Sequence, residues 1–283
     1  MRTESFPTPG RLRLDIRLGA GEIRLASGQA GETTVTLEPL RDNEDSRAAV
    51  EDARIDLRER ADGHEVLVDV RARGLRAAEV LVEIRCPDGA DVKAKSGSAD
   101  IEGDGRFGSA EVQSGSGDVQ FSDLSGDAKI DAASGDIQLA RVGGELRANT
   151  ASGDVQVGAV TGPSKVNSAS GDVQIREAGG QLEVNSASGE VQIGEVGSSA
   201  SVNTASGDQT LGSVSAGKIA LKSASGDMKI GIREGSTLWV DARSRSGEVR
   251  SELPVSDAPP EGDAPHVELR ASTMSGDVEV IRA

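Results

Sequence analysis

The chain has 283 residues with 36 Gly, three Phe, one Trp and no Tyr, and 47 acidic against 31 basic side chains give a formal charge of −16. Glycine so far below one residue in three excludes collagen, and the acidic balance, with no basic or aromatic stacking surface, excludes nucleic acid as a partner. A chain this acidic and poor in aromatics stays disordered unless its apolar residues, 36% and mostly Val, Leu, Ile and Ala, are patterned. They are.

The start, Met1-Arg-Thr-Glu-Ser-Phe-Pro, has no apolar run of signal-peptide kind, and no stretch approaches the ~20 apolar residues of a membrane span. A cytoplasmic location without membrane insertion is therefore expected. Through residues 1–90, the segments Arg11–Leu18, Thr33–Leu37, Ala53–Arg58, Glu65–Val70 and Glu79–Ile84 alternate apolar with charged residues, as strands do. Asn43–Ala53 between them reads as a charged connector with room for one helical turn. This region is expected to be a β-rich N-terminal cap, continuous with residues 91 onward, because a stack of strands needs its end covered.

The lone Cys86 allows no intramolecular disulfide and reads as a core residue at a strand end. His64 and His266 are the only imidazoles and stand apart in the sequence, so a zinc site or a His-dependent triad lacks parts. Trp239, among alternating neighbours, reads as a core or cap residue.

From residue 91 onward the sequence repeats. Ser-Gly-Asp/Glu places its acid at Asp118, Asp136, Asp154, Asp172, Glu190, Asp208, Asp227, Glu248 and Asp277, preceded by the variant Ser98-Ala99-Asp100. The step is 18 residues six times running, from Asp100 to Asp208, and then 19, 21 and 29. Apolar residues keep register inside each period: Val173, Ile175, Ala178, Leu182 and Val184 in one, Val191, Ile193, Val196, Ala200 and Val202 in the next. Gln156, Gln174 and Gln192 take the outward slot, and glycines at 143–144, 162, 179–180 and 197 mark a second corner.

Eighteen residues at about 3.3 Å each make a perimeter of about 60 Å, one coil of a single-stranded β-solenoid with two or three short faces. Coils stack about 4.8 Å apart and bury a narrow aliphatic column, which accounts for the scarcity of rings; ten would form a rod of roughly 45–50 Å. The expected fold is all-β, a β-helix of 18-residue coils over 91–283 capped by 1–90. Antiparallel hairpins of the same period are the alternative architecture. Asn149, Asn167, Asn185 and Asn203 fall in one column beside Thr150, Ser168, Ser186 and Thr204, suited to amide and hydroxyl ladders.

The acids at 118, 136, 154, 172, 190 and 208 read first as solvated turn carboxylates. Stacked about 5 Å apart they would also welcome a weakly held cation, although the Gly-Gly-x-Gly-x-Asp frame of calcium rolls is missing. No catalytic, cofactor-binding or dedicated metal residue is expected. Glu252–His266 is a proline-rich acidic excursion between two coils and is expected to be a surface loop. The closing run Gly276–Arg282 forms the last coil, whose edge is open to self-association or to a partner strand.

The repeated Ser-Gly-Asp-Val/Ile coils, preceded by Val82-Glu-Ile-Arg-Cys-Pro-Asp-Gly-Ala-Asp-Val92, resemble the bacterial DUF4097 family of β-strand-repeat proteins, described as candidate adhesins. Gly19-Ala-Gly-Glu-Ile-Arg-Leu25 and Gly231-Ile-Arg-Glu-Gly-Ser-Thr-Leu-Trp-Val-Asp241 resemble its actinobacterial members. The resemblance spans nearly the whole chain and implies a β-solenoid with no known catalytic residues. A non-catalytic, adhesin-like scaffold of unknown protein partner, open to self-association through solenoid edges, is the expected function. A carbohydrate-active β-helix, binding or cleaving polysaccharide, is the alternative, weakened by the lack of aromatic sugar platforms. Binding of ice or mineral would need more regular Thr columns.

Overall fold

The structure, a computed structural model, describes residues 1–28, 30–71, 78–253 and 266–283. Two compact units divide the chain, residues 1–144 and 145–283. The first holds β1 (Arg2–Pro7), β2 (Leu12–Leu18), β3 (Ala20–Ser27), β4 (Glu32–Pro39), α1 (Glu44–Asp52), β5 (Arg54–Arg60) and β6 (Gly63–Val70). It continues with β7 (Glu79–Cys86), β8 (Asp91–Ser96), β9 (Asp100–Phe107), β10 (Ala110–Ser114), β11 (Val119–Leu124), β12 (Ala128–Ala132) and β13 (Ile137–Val142). The second opens with β14 (Leu146–Thr150), β15 (Val155–Val160), β16 (Ser164–Ser170), β17 (Val173–Ala178), β18 (Leu182–Ser188), β19 (Val191–Val196) and β20 (Ala200–Ser206). It closes with β21 (Gln209–Val214), β22 (Gly217–Ser225), β23 (Met228–Ile232), β24 (Thr237–Ser244), β25 (Val249–Ser251), β26 (His266–Ser275) and β27 (Val278–Arg282).

The fold is an all-β solenoid with two faces. Each coil contributes one strand to each of two sheets, and the Ser-Gly-Asp turn carries the chain from one to the other. Within unit 2 the sheets run β15-β17-β19-β21-β23-β27-β25 and β14-β16-β18-β20-β22-β26-β24. Their ladders are parallel, and residues 18 apart face each other: Val155, Val173 and Val191 pair in succession, as do Val166, Val184 and Val202. These parallel ladders set aside the hairpin alternative. Val173, Ile175, Ala178, Leu182 and Val184 point between the sheets and are buried, while Gln156, Gln174 and Gln192 are exposed. Gly189 shows what the turn demands: its φ is +122°, and a Cβ there would lie 2.3 Å from the Gly171 carbonyl oxygen. Only glycine tolerates that approach.

Stacking follows the sequence as far as β23 and then departs from it. β26 pairs with β22 on one side and β24 on the other, and β27 lies between β23 and β25. The coil made of 266–282, expected to be the last with an open edge, is instead interposed between those of 217–232 and 237–251 and paired on both sides. Most of the proline-rich excursion lies outside the described residues, which stop at 253 and resume at 266.

In unit 1 the sheets run β1-β4-β7-β3-β9-β11-β13 and β5-β6-β2-β8-β10-β12. β1, β4 and β5 join antiparallel, and the β2–β3 coil is interposed between the β6–β7 and β8–β9 coils. The connector expected to hold one helical turn is a nine-residue helix. Asn43 caps it, its side chain accepting from the Ser46 amide at 2.7 Å, with Glu44 and Asp45 in the first turn. No basic residue lies in its last turn; instead the Arg2 guanidinium reaches over from β1 and donates to the Val50, Glu51 and Ala53 carbonyls. Ser46, Ala49 and Val50 are the helix's buried residues.

The interior admits rings at one place. Phe107 and Phe121 are buried edge to face, centroids 5.8 Å apart. Room for them comes from Gly103, which pairs with Phe121 across the ladder; a Cβ on Gly103 would sit 2.4 Å from the Phe121 ring. Cys86 is fully buried, and burial, with Asp88 nearby, pushes its thiol up to about 12. Trp239 is half-buried on β24, with the Arg270 guanidinium 5.7 Å from its ring centroid. No helix among the described residues is long and apolar enough to cross a membrane.

Candidate functional site

Within each unit the acids of the Ser-Gly-Asp turns face the neighbouring coil. In unit 1 Asp118 Oδ1 accepts from the Asp136 amide at 2.9 Å, as Asp100 does from Asp118. In unit 2 the same bond, at 2.8 Å, runs from the Asp172 amide to Asp154, from Glu190 to Asp172, from Asp227 to Asp208, from Asp277 to Asp227 and from Glu248 to Asp277. The acid's own carbonyl accepts from the residue after the acid in the neighbouring coil, as with Val155 to Asp172 and Val173 to Glu190. Main chain and side chain therefore ladder together, and the carboxylate is held as an acceptor for a turn amide. Glu190 breaks the series: among the described residues the Asp208 amide has no bond to it, and the Glu190 carboxylate instead takes the Gln192 amide at 3.4 Å. One extra methylene carries its oxygens past the neighbouring turn.

These placements bear on the six acids read as a cation column. Asp118 and Asp136 lie in unit 1 and Asp154, Asp172, Glu190 and Asp208 in unit 2. Within each unit they lie one per coil. Among the described residues no three His, Cys, Asp or Glu side chains converge as a metal-holding group.

Beside the turn column in unit 2 runs a shallow groove of about 220 Å³, lined by Asp154, Asp172 and Glu190 on one side and Gln156, Gln174 and Gln192 on the other. On the opposite sheet a groove of about 560 Å³ is lined by Arg147, Lys165, Glu183, Asn149, Asn167 and neighbours. Its Asn149 and Asn167 begin an amide ladder: Asn167 Nδ2 donates to Asn149 Oδ1 at 2.7 Å, Asn185 to Asn167 and Asn203 to Asn185 at 3.0 Å. The Lys165 ammonium (2.8 Å) and the Asn185 amide hold the Glu183 carboxyl below the usual carboxylate range. The hydroxyls beside the Asn column behave differently. Ser168, Ser186 and Thr204 donate to carbonyls of their own turn, and only Thr204 reaches the next coil, at Ser223.

Gln209 escapes the sequence pattern. It takes the buried slot that Val155, Val173 and Val191 hold in earlier coils, fully covered. Its Nε2 donates to Thr204 Oγ1 and the Lys222 carbonyl, while Oε1 has no partner among the described residues. Its signal is a polar residue directly after the turn acid, where the other turns continue with Val, Ile or, after Asp227, Met.

Such a surface offers rows of amides and carboxylates at the coil spacing. It can hold an extended partner by repeated hydrogen bonds.

Comparison with solved structures finds extended but distant likeness. A candidate adhesin from Bacteroides fragilis matches at 11% identity and a TM-score of 0.37, covering 99% of this chain and 96% of that one. One from Parabacteroides merdae matches at 12% and 0.30 over 99% and 96%. A candidate cell adhesion protein from Clostridium sporogenes matches at 8% and 0.25 over 100% and 99%. No protein of curated function matches the sequence. The profile of the Toastrack DUF4097 family matches twice, over residues 12–194 and 145–282. The two matches together span nearly every coil of the solenoid, and the chain belongs to the Toastrack DUF4097 family.

Proposed function

We propose that this chain is a non-catalytic scaffold that holds an extended macromolecular partner along its outer columns, as an adhesin does. The in-register rows carry this reading: Gln156, Gln174 and Gln192 recur at the ladder spacing beside the acid column, and the Asn ladder recurs on the opposite sheet. A partner with its own regular spacing, a peptide in extended form or a glycan chain, meets the same groups coil after coil. Many weak contacts then sum to useful avidity.

The test compares the full chain with a Gln156→Lys, Gln174→Lys, Gln192→Lys variant, both immobilised and challenged with bacterial envelope polysaccharide and envelope protein fractions. Retention by the parent and its loss in the variant support the reading. Equal retention by both removes the outer column from it. Release of new reducing ends or unsaturated uronates from the glycan removes the non-catalytic part.

A further inference from the structure

The outermost coil of unit 2 leaves apolar side chains exposed at its edge. β24 and β25 are the outermost strands of their sheets. Val249 on β25 is 46% exposed, whereas its ladder partner Val278 is completely buried. Val240 and Ala242 on β24 are half-buried beside fully covered Leu269 and Ala271. The apolar column therefore reaches solvent here. Edge strands are ordinarily blunted by proline, bulges or crowded charge. β5 in unit 1 follows that rule with Arg54, Asp56, Arg58, Glu59 and Arg60, but β24 is eight residues long, without proline, and only Asp241 and Arg243 are charged.

Backbone phase narrows the partner. The Arg245 amide donates to the Thr273 carbonyl on β26, so alternate residues 241 and 243 share that direction, and Val240, Ala242 and Ser244 turn their N–H and C=O groups outward. Antiparallel self-pairing must set these outward residues opposite one another. Centring it on Asp241 opposes two aspartates, and centring it on Arg243 opposes two arginines. Centring it on Ala242 sets Asp241 against Arg243 of the second copy twice, and Trp239 against Arg245, a cation–π arrangement already present with Arg270.

We infer that β24 pairs antiparallel with β24 of a second copy about a two-fold axis at Ala242, closing the apolar column of both. The contact is isologous, so it yields a closed dimer rather than a filament. It goes beyond the proposed scaffold function and does not depend on what the outer columns hold.

Sedimentation velocity on the full chain tests it. The expected result is a monomer–dimer equilibrium with a dissociation constant on the order of 10 µM, as suits a small interface. Emission from Trp239, the sole tryptophan, should shift with the same midpoint. Asp241→Arg and Arg243→Asp should each weaken the dimer at least tenfold while leaving the circular dichroism melt in place. Within one chain Asp241 and Arg243 also pair along the strand, at 3.0 Å, so the decisive step is to mix the two variants. Equimolar mixing should restore a 1:1 heterodimer, which no intrachain effect can produce. A parent chain that stays monomeric at ~200 µM, a dimer indifferent to both substitutions, or a mixture that fails to pair would each overturn the inference.

Discussion

In the Ser-Gly-Asp turns the glycine and the acid answer different constraints. Glycine is required because the turns stack closer than a Cβ allows, as at Gly189 against Gly171. The acid is required because each turn leaves an amide facing the neighbouring coil, and Asp has the length to accept from it. Glu190 is the internal control, since its longer side chain leaves the Asp208 amide without that bond. Glu190→Asp should therefore raise stability by about 0.5–1 kcal/mol, the net worth of one exposed hydrogen bond, read as a higher urea midpoint at unchanged m-value. A midpoint that falls or holds would mean the turn carboxylates are merely solvated. The 18-residue spacing makes the column visible in the sequence, but spacing carries no information about which oxygen meets which amide. Gln209 is illegible for a related reason: a polar residue in an apolar slot looks like a lapse in the pattern until Thr204 and Lys222 are seen around it.

At the scale of elements, alternation and glycine corners identify the strands of the repeats because each coil buries one face of each strand against the same column. Stacking order is another matter. Ser-Gly-Asp/Glu marks a coil without naming its neighbours, so the acids at 227, 248 and 277 give no hint that 277 sits between the other two. The start of helix α1 is marked by Asn43, Glu44 and Asp45; its far end is not, because Arg2, more than forty residues away in sequence, supplies the cation that the last turn lacks. Arg2→Ala should remove those donors and fray the helix, at a cost of about 1–2 kcal/mol in local opening. Hydrogen exchange of the last-turn amides of α1 would rise severalfold while β8–β13 stay protected; uniform protection in the variant would show that packing alone holds the helix.

For the molecule as a whole, the composition and the architecture explain one another. A column lined by Val, Ile, Leu and Ala has space for rings only where Gly103 stands beside Phe121. Much of the −16 charge comes from one recurrent corner and the charged outer strands. Cys86 supplies a reporter for unit 1. Its folded-state thiol lies near 12 against about 8.5 for a free thiol, so the native state holds the proton where the unfolded state has lost it. Its contribution to stability is complete below pH ~8.5 and is lost as pH rises toward 12. At pH 8 an aromatic disulfide reagent should modify Cys86 only as fast as unit 1 opens, and burst labelling of the native chain would refute its placement in the core.

The interposed coil of unit 2 also has a consequence for synthesis. A solenoid can ordinarily be laid down as it leaves the ribosome, each coil templating the next. Here residues 237–251 emerge before the segment they rest on, 266–282, has been made. Vectorial assembly must pause at β23 and wait for that later segment, and during the wait two sheet edges stand open to whatever strand arrives first.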